Sequence, residues 1–173
     1  MELDRIYFYT ATINQWIPLL KQEECKKTIL SSLKYLTQKG CLKIYGFVVM
    51  PNHIHLILEA IALNGKEMPH TSFLKFTGHS FLKILRKISV DELVKFQVDD
   101  PNKLYEFWQK GSFAYEIFSP TIAFQKLNYI HNNPCQKKWM LADEPSSYSL
   151  SSCSFYECDV DNFGFLTRIE DRL

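Results

Sequence analysis

Tyr45-Gly46-Phe47-Val48-Val49-Met50-Pro51-Asn52-His53-Ile54-His55-Leu56-Ile57-Leu58-Glu59 reads as two strands folded back on each other around a tight turn. Residues 42–50 (LKIYGFVVM) are β-branched and aromatic, Pro51-Asn52 supplies turn chemistry, and residues 53–60 (HIHLILEA) return as the second strand. Side chains alternate along a strand, so His53, His55, Ile57 and Glu59 share one face and Ile54, Leu56 and Leu58 the other. The aliphatic face is the expected core side. Both imidazoles then point away from it together.

Working outward, residues 6–13 (IYFYTATI) form another strand-like run. From about residue 21 to 39, Ile29, Leu33 and Leu36 recur at helical spacing before Gly40, a common stop signal. Residues 61–71 read as a loop, and 73–88 as a basic amphipathic helix with Leu74, Phe81, Leu85 and Ile88 opposite Lys75, Lys83, Arg86 and Lys87. An acidic, loop-like stretch covers 91–103, and the aromatic-rich 104–118 predicts a strand or a pair of strands. Ser119-Pro120 opens a last helix, which Pro134 stops near Asn133. No repeat or linker divides the chain, so residues 1–173 read as one domain, with 135–173 a C-terminal extension without an assigned structure. The element order describes an α+β sandwich: an antiparallel sheet with helices packed on one face.

Composition narrows the function classes. The 173 residues are 46% hydrophobic, 14% aromatic and 23% charged, which is the make-up of a folded domain rather than a disordered one. No apolar run approaches the ~18 residues of a membrane span, and the N-terminus lacks a signal-peptide pattern. Cytoplasmic location without membrane association is therefore expected. Cys25, Cys41, Cys135, Cys153 and Cys158 are odd in number, scattered and unpaired by any CxxC, so reduced thiols are expected. A net charge of +1 exerts no global attraction for nucleic acid, and any phosphate contact must come from a local basic patch.

Two histidines two apart on a strand can converge on one cation, because neutral imidazole is a good ligand for divalent metals. A solvated pair of strand histidines is the plain alternative. Histidine-triad nucleotide hydrolases require a third imidazole where this chain has Ile57. HUH nucleases require two histidines around one bulky apolar residue, and His53-Ile54-His55 fits that pattern. A third ligand and a nucleophile are then needed. Gln125-Lys126-Leu127-Asn128-Tyr129-Ile130-His131-Asn132-Asn133-Pro134 offers both. At about 100° per residue, Ala123, Leu127 and Ile130 make the core stripe, while Tyr129 and Asn133 stack four apart on another. The Asn133 amide would complete the metal site and the Tyr129 phenol would face the phosphate. A phenol of pKa ~10 needs help to lose its proton, and Lys126 is the candidate for that help. Here the plain alternative is a half-buried tyrosine and an asparagine capping the helix before proline.

VVMPNHIHLI followed by LNYIHNNP resembles the REP-associated tyrosine transposases, a family of single-tyrosine HUH transposases that act on single-stranded DNA. Phe81-Leu82-Lys83, Trp108-Gln109 and the Tyr148-Ser149-Leu150-Ser151-Ser152 tail before Tyr156 extend the resemblance over residues 6 to 156. It implies the HUH nuclease fold, a ferredoxin-like or RRM-like antiparallel sheet. It also implies His53, His55 and Asn133 as ligands of Mg²⁺ or Mn²⁺, and Tyr129 as nucleophile. The implied reaction cleaves and rejoins single-stranded DNA through a 5′-phosphotyrosine intermediate, in DNA transposition. Single-stranded or hairpin DNA at repeat-derived sites is the implied partner, and the protein is expected as a monomer or homodimer. For DNA contact, Lys83, Arg86 and Lys87 offer one basic face, and Lys137, Lys138 and Trp139 pair charge with a stacking ring. Tyr148, Phe155 and Trp108 are either core aromatics or stacking platforms. A domesticated, non-catalytic DNA-binding or regulatory protein on the same fold is the alternative function.

Overall fold

A computed structural model describes residues 1–173. In chain order the elements are β1 (Ile6–Thr12), α1 (Glu23–Gln38), β2 (Leu42–Met50), β3 (His53–Ala60), α2 (Pro69–Ile88), α3 (Val90–Val94), β4 (Gln97–Asp100), β5 (Lys103–Tyr105), β6 (Phe113–Glu116), α4 (Pro120–Asn132) and α5 (Cys153–Cys158). The main sheet has strand order β2-β3-β1-β6 with antiparallel pairing throughout, and β4-β5 forms a separate two-stranded ribbon. The α+β fold with an antiparallel sheet is the one expected. The 91–103 stretch is more ordered than a loop. Ser89 caps α3 by accepting a hydrogen bond from the Glu92 amide, and β4 follows.

Both faces of the sheet are covered, so the expectation of helices on one face describes only half of the molecule. Tyr7, Tyr9 and Ala11 of β1 and Ile54, Leu56 and Leu58 of β3 pack with Ile29 and Leu33 of α1 and Phe73, Phe81 and Leu85 of α2. On the opposite face, Ile6, Phe8, Val48, Met50 and Ile57 pack beneath Ala123, Leu127 and Ile130 of α4. Every residue of β3 is buried as a result. The face bearing His53 and His55 is therefore a second, smaller core, and the imidazoles sit at its open end. Central strands covered on both sides need apolar residues at most positions, which blurs the polar–apolar alternation.

A bulge in β2 and the adjacent glycine bring α4 close. The register with β3 shifts between Ile44 and Gly46, which leaves Tyr45 as the extra residue. Gly46 then faces α4: a Cβ there would lie 2.6 Å from Leu127 Cδ1 and 3.1 Å from Ile130 Cδ1. A side chain here would press on both tips, so glycine admits the helix at this depth without displacing them. Beyond β2 the tail covers the sheet edge. The Val49 amide donates to the Leu150 carbonyl (2.9 Å), the Ser152 amide to the Phe47 carbonyl (3.0 Å) and the Thr167 amide to the Ile44 carbonyl (3.0 Å). Residues after 135 are thus tied to the sheet, and the row of unpaired groups that an open edge would present is closed.

The last residues form a further tie. Glu59, 2% exposed, accepts hydrogen bonds from Tyr45 Oη (2.5 Å) and Arg172 Nε (3.0 Å). Burial pushes the Glu59 carboxyl up, but the hydrogen bonds from Arg172 and Tyr45 outweigh it and leave a net lowering.

Candidate active site

His53 opens β3 opposite Thr12 of β1, and His55 lies opposite Thr10. Both rings face α4, with centroids 4.7 Å apart. Each is held through Nδ1. The Asn52 amide nitrogen donates to the Trp16 carbonyl (3.0 Å), which turns its Oδ1 toward His53 Nδ1 at 2.8 Å. Asn52 Oδ1 can only accept, so His53 carries its proton on Nδ1 and leaves Nε2 as a lone pair. His55 Nδ1 lies 2.7 Å from Thr10 Oγ1, whose hydroxyl can accept in the same way. Partners that fix the imidazole tautomer in this manner are usual behind metal-ligating histidines.

The rings are neutral. Burial lowers the His53 pKa to about 4, with a smaller push from Lys138. Burial followed by the charges of His53 and Lys126 lowers His55 to about 3. At neutral pH neither proton has to be displaced from Nε2 before a cation binds.

Tyr129 of α4 reaches the same place. Its ring centroid is 5.5 Å from that of His55 and 6.0 Å from that of Phe8, edge to face with both. The side chain is 44% exposed, open to an approaching substrate. One turn on, Asn133 is buried, and its Oδ1 has no hydrogen-bond partner. A buried amide oxygen without a partner costs free energy unless something positive meets it. Thr10, Thr12, His53, His55, Tyr129 and Asn133 line one cleft of about 190 Å³, together with Trp16, Gln136, Lys138 and Trp139. No group of three or more His, Cys, Asp or Glu side chains in the chain is placed to hold a metal ion, so a site here needs the Asn133 amide as its third donor. The donor set fits a divalent ion such as Mg²⁺ or Mn²⁺: two neutral imidazoles, with the Nε2 lone pair of His53 fixed by Asn52, and one orphaned amide oxygen.

Lys126 stands slightly apart. Its Nζ lies over the Phe8 ring (4.9 Å) and the Tyr115 ring (5.5 Å), outside the cleft lining. Its charge still reaches His55. Lys138, which lines the cleft, is the nearer cation. The other basic residues divide. Lys138 and Trp139 line the cleft and Lys137 is exposed beside them in the chain, whereas Lys83, Arg86 and Lys87 are exposed on α2, which covers the opposite face of the sheet. Trp108 is a core residue, its Nε1 donating to Thr77 Oγ1 (2.9 Å), and Tyr148 is tied through its hydroxyl to the Val49 carbonyl (2.7 Å). Phe155 packs edge to face on Tyr156.

Thr10 and Trp16 border the site although no motif marks them, and Asn52 does so from within the Pro51-Asn52 turn. Asn52 was within reach as the residue before the first histidine. Trp16 lies in a segment without a recognisable pattern.

The four-stranded antiparallel sheet carries paired histidines on a central strand, with a tyrosine on a helix laid across that face. The particular likeness is to the structure of a REP-associated tyrosine transposase bound to a REP hairpin. It matches with a TM-score of 0.64 at 13% identity, covering 97% of this chain and 88% of that one. A candidate transposase from Deinococcus radiodurans R1 matches with a TM-score of 0.40 at 15% identity, over 76% of this chain and 92% of that one. No protein-family model and no curated protein matches the sequence. No helix is long and apolar enough to cross a membrane.

Proposed function

We propose that this protein is a metal-dependent tyrosine transposase that cleaves and rejoins single-stranded or hairpin DNA. The observation that carries the reading is the Asn133 Oδ1 atom, buried and unpartnered, in the cleft where two neutral imidazoles and a phenol meet. A structural asparagine would have its oxygen satisfied. A third metal ligand would not, until the ion arrives.

His53 and His55 through Nε2, and Asn133 through Oδ1, would hold Mg²⁺ or Mn²⁺. The bound ion supplies Lewis acidity toward a non-bridging phosphate oxygen. Thr10 and Asn52 hold the two imidazoles in place through Nδ1, and burial keeps them neutral. Tyr129 Oη attacks the phosphorus in line and forms the Tyr–O–P bond as the bond to the 3′ oxygen breaks. The products are a 5′-phosphotyrosine and a 3′-hydroxyl. The phenol proton passes to solvent on the exposed side of the ring, and the leaving oxygen takes up a proton in turn. Lys126, three residues before Tyr129 on the same helix, places a positive charge where the phenolate develops. The phosphodiester is exchanged rather than hydrolysed, so a later 3′-hydroxyl can reverse the step without ATP. One chain supplies every one of these groups. The +1 net charge leaves DNA attachment to local contacts, for which Lys138 and Trp139 line the cleft and the exposed Lys137 adjoins them in the chain.

The test is incubation with Mn²⁺ and an end-labelled single-stranded hairpin. An adduct that survives denaturation, and that Tyr129→Phe abolishes, is expected. Binding without cleavage would instead identify a domesticated DNA-binding protein, and cleavage without an adduct a water-using phosphodiesterase.

A further inference from the structure

We propose that Trp16, with Trp139 and Lys138, forms a stacking clamp that holds one unpaired DNA base beside the metal cleft; the inference rests on the single-stranded DNA reading above. Trp16 is 52% exposed, well above the usual exposure of an indole. Its ring lies edge to face with His53 (6.3 Å), and the Trp139 ring is 5.6 Å from the same imidazole, so both indoles border one metal ligand. Lys138 Nζ lies over both indoles, 5.6 Å from the Trp16 centroid and 5.2 Å from the Trp139 centroid. The exposed Trp16 ring and the half-buried Trp139 ring, with an ammonium group beside them, offer a nucleotide what it needs: a surface for the base and a positive charge for its phosphate. A base entering against the rings would take the place of the ammonium group and turn it outward to the backbone.

The backbone at Trp16 is built to hold this position. Gln15 (φ 55°) and Trp16 (φ 57°) both adopt the left-handed region, rare for side chains of this size. Such a pair persists only when its surroundings over-determine it. The tie is Asn52, which donates to the Trp16 carbonyl and accepts from His53 Nδ1–H. One amide thus fixes the indole wall and the metal ligand relative to each other. A base on Trp16 would place its own phosphate next to the imidazoles.

The experiment uses the full chain with EDTA present, so that no cutting occurs. End-labelled single-stranded oligonucleotides, each with 2-aminopurine at one position, are titrated by anisotropy and by probe fluorescence. Wild type should quench the probe strongly at one position. Trp16→Ala should lose that quench and weaken binding by about 5- to 150-fold, the range of one base–aromatic stack. Trp16→Phe should keep most of both, and Trp16→Leu, apolar but without a π face, should behave like Ala. Lys138→Gln should lower the salt dependence of binding by about one phosphate contact. Circular dichroism and melting of each variant confirm folding, which substitution of an exposed residue should leave intact. Quench and affinity unchanged in Trp16→Ala, Leu equal to Phe, or an unchanged salt slope in Lys138→Gln would each overturn the clamp. If Trp16→Ala binds as wild type yet still forms the Mn²⁺-dependent adduct, the clamp fails and the tyrosine chemistry stands. Position-specific quenching without any adduct from wild type would leave the clamp and remove the chemistry.

Discussion

Replacing Gly46 by alanine puts a methyl group at the point where α4 rests on the sheet. The new carbon would lie 2.6 Å from Leu127 Cδ1 and 3.1 Å from Ile130 Cδ1, both closer than carbon atoms pack. These two leucine and isoleucine tips flank Tyr129 in the sequence, so relief by lifting the helix carries the phenol away from His55. Overpacking of this kind costs about 1–3 kcal/mol. A displacement of about 1 Å at the nucleophile costs on the order of 10²-fold in rate. Leu127 can relieve part of the contact by changing rotamer, so the Gly46→Ala cost belongs at the lower end in stability but still shows in the rate. Leu127→Ala alone should cost about 2–5 kcal/mol as a cavity mutation of a buried leucine. The double variant then decides. With Leu127 Cδ1 gone, the alanine methyl at 46 occupies vacated space, and the two effects should be sub-additive by about 1–2 kcal/mol. Urea denaturation measures the stability of all four proteins, and denaturing gels measure adduct formation. Strict additivity would refute the claim that α4 bears on the sheet at Gly46. So would a wild-type adduct rate in Gly46→Ala.

Removing Arg172 and Leu173 should leave Glu59 with Tyr45 as its only partner and cost about 1–3 kcal/mol, because a buried charged acceptor loses a donor. Glu59→Gln in the truncated chain should recover part of this loss by urea denaturation. The penalty should also shrink as pH falls through the lowered Glu59 pKa and the carboxylate is protonated. His131 is buried with Nε2 2.8 Å from Ser152 Oγ, and burial lowers its pKa from 6.5 to about 4. The unfolded chain therefore binds one more proton than the folded chain between those values, so stability falls as pH drops from 6.5 toward 4. At pH 5 this single group should account for about 2 kcal/mol of loss relative to pH 7. His131→Gln should show a correspondingly shallower decline by urea denaturation, whereas a parallel decline would place the acid sensitivity elsewhere.

The hairpin was legible because two apolar strands and a Pro-Asn turn leave few alternatives, and the HIH alternation alone puts both rings on one face. What that face met was not legible. Ile57 and Ile6 look like ordinary alternating residues in sequence, and only α4 lying across them shows that both sheet faces are buried. The spacing of Tyr129 and Asn133 on one helical stripe was readable from helix geometry. Their approach to the imidazoles depends on Gly46, whose role lies in a contact far away in the chain. The tail was unreadable because its order comes from β2: Leu150 and Ser152 are held by backbone hydrogen bonds to a strand edge, which side-chain patterning does not encode. That the Lys126 ammonium group rests on the Phe8 and Tyr115 rings was not legible, because those rings come from strands far from α4 in the chain. Trp16 was missed altogether, since a non-glycine residue at positive φ leaves no signature in a single sequence.

The central claim is that the Tyr129 oxygen becomes joined to a DNA 5′ phosphate in a cleft formed by His53, His55 and Asn133. Proteolysis of the trapped, nuclease-trimmed complex followed by tandem mass spectrometry reads that bond directly. A nucleotide mass on the phenol of the peptide spanning residues 127–137 is the predicted result, and a modification on Tyr115, or on no tyrosine at all, would contradict the account.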